Sequence, residues 1–213
     1  AIGARYPLAG GWLGVETVGG RTDYGSAKGA VVSWRKAGLR FKAGMLDENN
    51  VVFGTPTGSG ALRFGDGART VFLEASHDVA LGKWKLGGYA SLGATRLKLA
   101  DDTLLTDAGT MLTNRFGLTA SRNALGGRMS FGLVQPLTVV SGSGTYTVGS
   151  SYDLASRSLL FTNRRVDFSG RIDPLLTLGY ARGGSNSLVH FGLASNADAS
   201  DVRGLGTWRV TLP

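Results

Sequence analysis

Residues able to do chemistry are few in this chain of 213 residues, which holds two histidines, His77 and His190, and no cysteine. Without thiols there is no disulfide scaffold, thiolate zinc centre, iron–sulfur cluster or cysteine nucleophile. Neither histidine stands in a Gly-x-Ser-x-Gly or His-Glu-x-x-His setting. A dyad of one histidine with a nearby serine would make a lipid hydrolase, but two isolated histidines are more often structural. No catalytic residue, and so no enzymatic activity, is expected. Asp47-Glu48-Asn49-Asn50 and Asp101-Asp102 offer the oxygen ligands that calcium takes. Such loop charge is ordinarily solvated, and neither a metal nor a cofactor is expected. The glycine-rich run 54–60 lacks the Gly-Lys-Ser/Thr of a phosphate loop.

The remaining chemistry is charge. The formal net charge is +8, from 23 Lys and Arg against 15 Asp and Glu. The cations are scattered singly, with Arg35-Lys36 and Arg164-Arg165 the longest clusters. A nucleic-acid footprint concentrates them instead. Their placement is governed by a period-two alternation that runs from end to end. Leu39-Arg40-Phe41-Lys42-Ala43-Gly44-Met45, Arg115-Phe116-Gly117-Leu118-Thr119-Ala120-Ser121 and Thr207-Trp208-Arg209-Val210-Thr211-Leu212 each set apolar against polar positions. Successive side chains of a strand point to opposite faces, so each such segment has one apolar and one polar face.

Cutting at the turn signals predicts about twelve strands. They lie near Trp12–Val18, Lys28–Lys36, Leu39–Leu46, Thr70–Leu81, Lys83–Leu97, Arg115–Ala124, Arg128–Val139, Gly144–Tyr152, Ser158–Val166, Leu175–Arg182, Ser187–Ser195 and Arg203–Leu212. Short turns at 36–38, 81–83, 125–127 and 183–185 alternate with longer loops at 19–27, 47–69, 100–114 and 196–202. No apolar run approaches the ~18 residues of a spanning helix. Short turns at one end and long loops at the other belong to outer-membrane barrels, and lipid tolerates no open sheet edge. The expected fold is all-β, over residues 1–213: a closed antiparallel transmembrane barrel of about twelve strands. It would be monomeric, sit in a Gram-negative outer membrane, and have periplasmic turns, extracellular loops and both termini on the periplasmic side.

Trp12, Trp34, Trp84 and Trp208 then fall at the periplasmic end, as a membrane-interface girdle requires. By parity Glu16, Arg35, Arg40, Lys42, Glu74, Lys85, Arg115 and Arg209 line the lumen, with a surplus of positive charge that suits ion pairs to the two glutamates or an aqueous path for anions. Gly44, Gly87, Gly117, Gly132, Gly179 and Gly192 share that inner face, where a small residue relieves crowding in a narrow barrel. His77 falls on the apolar face and His190 on the inner one. A plug, if the pore has one, is expected from residues 1–11 or from the long 47–69 loop. Residues 1–20 carry no basic, unbroken apolar leader, which suggests a mature or trimmed portion of a longer protein.

The second half carries Gly132-Leu133-Val134-Gln135-Pro136-Leu137-Thr138-Val139, then Ser141-Gly142, Tyr152-Asp153-Leu154-Ala155 and Asn163-Arg164-Arg165-Val166. This resembles the C-terminal domain of subtilisin-like serine-protease autotransporters of alphaproteobacteria, most clearly over residues 115–170. That family has a Gln-Pro-Leu-Arg-Val-x-Ser-Gly element, a Tyr-Asp-Tyr turn and an Arg-Arg strand. Thr138 stands here where the family has Arg, Leu154 where it has Tyr, and the chain ends Leu212-Pro213 rather than on an aromatic residue. The resemblance implies a translocator that exports and anchors its own N-terminal passenger. Its partners would be that passenger, the barrel assembly machinery, and outer-membrane lipids including lipopolysaccharide. The alternatives are a small anion-preferring porin-like channel or, less in keeping with the residues, an outer-membrane lipid hydrolase.

Overall fold

The structure, a computed structural model, describes residues 2–183 and 187–210. It is built of antiparallel strands: β1 Ile2–Leu8, β2 Gly11–Arg21, β3 Ser26–Lys36, β4 Leu39–Asn49, β5 Val51–Val52, β6 Thr55–Pro56, β7 Gly67–Leu81, β8 Trp84–Lys98, β9 Leu105–Ala108, β10 Met111–Ala124, β11 Gly127–Ser141, β12 Ser143–Asp153, β13 Ser158–Asp167, β14 Leu175–Gly183, β15 Ser187–Asn196 and β16 Val202–Val210. One 3-10 turn, Gly60–Leu62, is the only helical element among the described residues. None of the helical segments is long and apolar enough to cross a membrane.

Eleven strands form one sheet in the order β1-β2-β3-β4-β7-β8-β10-β11-β14-β15-β16. Neighbours are joined by hairpins at alternating ends. Tight connections lie at one end, called here the turn end. Ala9-Gly10, Ala37-Gly38 and Leu125-Gly126 all have positive φ at both residues, the type I′ geometry that matches the twist of the paired strands. Longer excursions lie at the other, the loop end.

Three expectations are corrected here. The alternation of Ile2, Ala4, Tyr6 and Leu8 against Gly3, Arg5 and Pro7 makes residues 2–8 a strand paired along its whole length with β2, not a plug. Residues 143–153 and 158–167 leave the main sheet. They pair with each other and with β9 in a separate three-stranded sheet, β13-β12-β9. The chain breaks away at Gly142, which has φ 153° and whose absent Cβ would lie 2.8 Å from Met111 Cγ. Hydrogen bonds from Phe168 N to Gly142 O and from Gly170 N to Val139 O carry the ladder across that break. Finally, an odd number of strands places Ile2 at the loop end and Val210 at the turn end, so the two described ends lie at opposite ends of the sheet. Residues β1 and β16 do not pair with one another among the described residues, and the sheet is observed as an open one. The expected positions at 184, 185, 212 and 213 lie outside the described residues.

The register fixes close approaches across the sheet. Gly44 lies opposite Phe72, whose ring lies over the glycine. A Cβ there would lie 2.7 Å from Phe72 Cζ and 2.9 Å from the Ala30 carbonyl. Because one of those neighbours is backbone, it cannot rotate away. Gly44→Ala is expected to cost about 1–2 kcal/mol through overpacking, read as a lower urea midpoint with an unchanged m-value.

Candidate functional site: two uncovered faces and a capped end

The pairing ladder sorts the side chains of the main sheet into two faces. On one, successive rows across six strands read Thr17-Ala30-Met45-Val71-Ala94-Leu112, then Val15-Val32-Ala43-Leu73-Leu92-Asn114, then Leu13-Trp34-Phe41-Ala75-Ala90-Phe116. On the other they read Gly14-Ser33-Lys42-Glu74-Ser91-Arg115 and Trp12-Arg35-Arg40-Ser76-Tyr89-Gly117. No second layer covers the apolar face: Leu73, Leu92 and Leu118 remain 64%, 65% and 63% exposed. Among the described residues only Val51, Val52, Ala68, Leu105 and Met111 are buried apolar side chains.

All eight charged residues singled out by parity stand on the second face. Glu16, Arg35, Arg40, Lys42, Glu74 and Arg115 are placed there by the rows above and by Glu16 lying opposite Val31, in the row of Gly44. Lys85 lies opposite Ser121, and Arg209 opposite Leu188, on the same side. The six glycines named above share this face, as does His190, while His77 is on the apolar one. The same parity adds Arg5, Asp78, Arg128 and Arg203, which sequence reasoning left out. Arg5 lay in the missed strand. The other three lie within the expected strands, on the parity of Glu74, Gly132 and Arg209.

Among the described residues, Glu74 is the one acid of this face that gathers cations. Its side chain is buried, with Lys42 Nζ at 2.6 Å from Oε1 and the Arg115 guanidinium donating to Oε2. Arg115 is brought there by the regular pairing of β10 with β8, opposite Ser91, and on its other side it faces a bulge in β11. Between the pairs Asn114/Thr138 and Phe116/Gln135, one residue of β10 faces two of β11, Pro136 and Leu137. Pro136 has no N–H to donate to the ladder, so a bulge is where a strand accommodates it. Gln135 Nε2 closes the bulge by donating to Thr138 Oγ1 at 2.7 Å. The Gln-Pro-Leu element of the resemblance is thus the bulge facing Arg115. Nearer the turn end, Arg5, Trp12, Arg35 and Arg40 line an open cleft of about 500 Å³. Arg35 and Arg40 are directly opposite, with no acid partner within ion-pair distance among the described residues.

The tryptophans divide. All four lie toward the turn end. Trp34, Trp84 and Trp208 belong to the apolar face, where Trp34 stacks on Phe41 with centroids 6.2 Å apart and the Arg122 guanidinium lies 5.0 Å from the Trp84 ring. Trp12 is a correction: it shares the face of Arg35 and Arg40 and is not part of an apolar-face girdle. Strand ends alone do not decide this; Trp12 has the parity of Glu16, and Trp34 the opposite parity to Arg35.

At the loop end, residues 50–66 fold back over the charged face. Glu48, buried, accepts hydrogen bonds from the backbone N–H of Phe53 at 3.1 Å and of Gly54 at 2.9 Å, which holds the β5–β6 hairpin. Val52 packs with Ala68 and Met111 of the main sheet, joined by Phe53, Phe64, Leu97, Val139 and Phe168. Phe64 and Phe168 meet edge to face with centroids 5.0 Å apart. Beyond this cap projects the β12–β13 hairpin. Its Asp153 accepts hydrogen bonds from Ser156 Oγ and the Ala155 N–H, which hold that carboxyl below the usual carboxylate range. Arg164 and Arg165 lie on its fully exposed strand β13. The acidic loop patches do not converge, and no cluster of metal-ligating residues exists among the described residues.

No family model, curated protein or solved structure matches this chain.

Proposed function

We propose that this chain is an outer-membrane barrel acting as an autotransporter translocator. One observation carries the membrane part. A single-layered sheet leaves a continuous apolar face uncovered on one side and a charged face on the other. Water does not support so large an exposed apolar surface, whereas lipid matches the first face and an aqueous lumen the second. On β3 the apolar interval from Lys28 to Lys36 is roughly 27 Å along the strand at ~3.4 Å per residue. Tilted as barrel strands are, that spans about 20 Å, close to the ~25 Å apolar band of such barrels. The translocator part rests on the Gln135-Pro136-Leu137 element and its companions. The barrel does no chemistry of its own. Its charged lumen or its seam admits the passenger, and folding outside drives export.

Strands β1 and β16 run in the same direction. Closure therefore takes either a direct parallel pair or one further strand antiparallel to both. Cysteines placed at Ala4 and Gly206 report which: a disulfide forms only where the two edges meet directly.

The test of the reading is insertion. The purified chain is expected to enter liposomes and to migrate differently on gels before and after boiling, as closed barrels do. A monodisperse detergent-free protein would refute it. The unpaired Arg35–Arg40 pair favours a second reading, an anion-preferring channel. Anion conductance with no passenger exported when the chain is joined to one would select it.

A further inference from the structure

The apolar face ends abruptly at the loop end in two rows of charge. One reads Lys28-Asp47-Arg69-Arg96 across four adjacent strands, and the next contains Arg21, Asn49 and Lys98. Arg21, Lys28, Arg69, Arg96 and Lys98 stand here against Asp47 alone. Asp47 organises them. Its carboxylate takes Lys98 Nζ at 2.5 Å and the Arg69 guanidinium at 3.1 Å, and Lys98 Nζ also donates to Asn49 Oδ1 at 2.8 Å. Arg96 is steadied by Thr110 Oγ1 at 3.1 Å and is otherwise open, and Arg69 remains 65% exposed. These cations lie on the apolar face, not on the face with Glu74. They are not among the charges of the Glu74 face, and of them Lys98 also donates to the Glu48 carbonyl at 2.9 Å.

We infer that this cluster is a binding site for the phosphate groups of an anionic lipid seated against the apolar face. The inference rests on the membrane reading above and adds a specific ligand to it. A lipid lying on Val71, Ala94 and Met45 brings its headgroup to the level of Arg69 and Arg96, one row further along the same strands. Guanidinium groups match phosphate oxygens bidentately. Adjacent strands lie about 4.8 Å apart, so Lys28, Arg69 and Arg96 present donors over an extended headgroup rather than a point. Charge complementarity singles out a phosphorylated headgroup over a zwitterionic one. No acid beyond Asp47 stands in these rows to compete.

The test uses the detergent-solubilised chain and follows thermal unfolding during titration with lipid A, a diphosphorylated glycolipid, with phosphatidylcholine and inorganic phosphate as separate arms. Lipid A is expected to raise the midpoint, and Arg69→Ala/Arg96→Ala to raise the half-saturating lipid A concentration at least tenfold. Arg182→Ala, which removes an exposed cation of the same face at the turn end, is expected to leave it unchanged. Heat-modifiable mobility of each variant checks that it is folded. Equal responses from all three proteins would overturn the site, as would inorganic phosphate alone reproducing the shift, which would mark a free-anion site. A chain that inserts into liposomes but does not respond to lipid A also overturns it and leaves the membrane reading standing. A chain that inserts into no lipid overturns the membrane reading itself.

Discussion

Leu73→Arg is expected to destabilise the chain in lipid by about 2–4 kcal/mol if the apolar face meets the bilayer as proposed, the cost of a cation on a lipid-facing surface near the midplane. Leu73 stands in the middle of the three apolar rows, opposite Ala43 on one side and Leu92 on the other, and it is 64% exposed. That exposure makes the measurement discriminating. Were the same face bathed in water, a substitution at so open a position would fall within about ±0.5 kcal/mol. The neighbouring position on the opposite face supplies the control. Ser91→Arg, in the row of Glu74 and Arg115, adds the same charge to a face already lined with cations and is expected to cost well below half as much. Reversible urea unfolding in lipid vesicles reads both. Equal costs would mean that the two faces see the same solvent. A reversed order would mean that the register is displaced by one residue, because a slip of one flips every side chain of a strand.

Most of this arrangement is legible in the alternation itself. The ten main-sheet strands from β2 onward, their turns, and the shared face of Glu16, Arg40, Lys42, Glu74, Lys85, Arg115 and Arg209 follow from parity, which is a local property. What parity cannot carry is which sheet a strand joins. Residues 143–153 and 158–167 alternate as well as any strand of the main sheet, yet they belong to a projecting hairpin. The decision lies at Gly142, where φ turns positive, and at the break before Leu175. Strand β9 was missed because four residues, Leu105–Ala108, give too few alternations to count. Strand β1 was missed although Ile2, Ala4, Tyr6 and Leu8 alternate cleanly, because Pro7 and the Ala9-Gly10-Gly11 run read as loop. Recovering it changes the strand count from even to odd, and with it the side from which the chain enters the sheet. Of the cap, the long 47–69 loop is legible as a segment able to turn inward, but not what holds it. Glu48 reads as one of four polar loop residues, and its role depends on Phe53 and Gly54 returning to it, a tertiary fact.

Glu74→Ala is expected to cost about 2–3 kcal/mol, the larger part of it not the loss of an attraction. The carboxylate is buried between Lys42 and Arg115, and truncating it leaves two cations facing each other across β7 and β8. Breaking a buried pair by removing one partner costs ~3–5 kcal/mol, chiefly because the remaining charge is uncompensated. The lower figure applies here because Lys42 and Arg115 keep 30% and 46% of their side chains open to solvent, and water screens what Glu74 no longer neutralises. This separates two roles that a single substitution confounds. If the triad were strongly stabilising in itself, replacing Lys42 and Glu74 together by Met would cost as much as Glu74→Ala. If its carboxylate serves mainly to neutralise cations that the charged face already crowds together, Lys42→Met/Glu74→Met recovers at least half of the loss, with Arg115 turning toward solvent. The second outcome is expected, since isosteric apolar replacement of a buried ion pair is often neutral. The single and double variants, with Lys42→Met alone, complete a double-mutant cycle. Glu74→Gln, which keeps acceptor and shape but not charge, should fall between wild type and Glu74→Ala. A Gln variant as unstable as Ala would assign the whole effect to charge, and one as stable as wild type would assign it to hydrogen bonding.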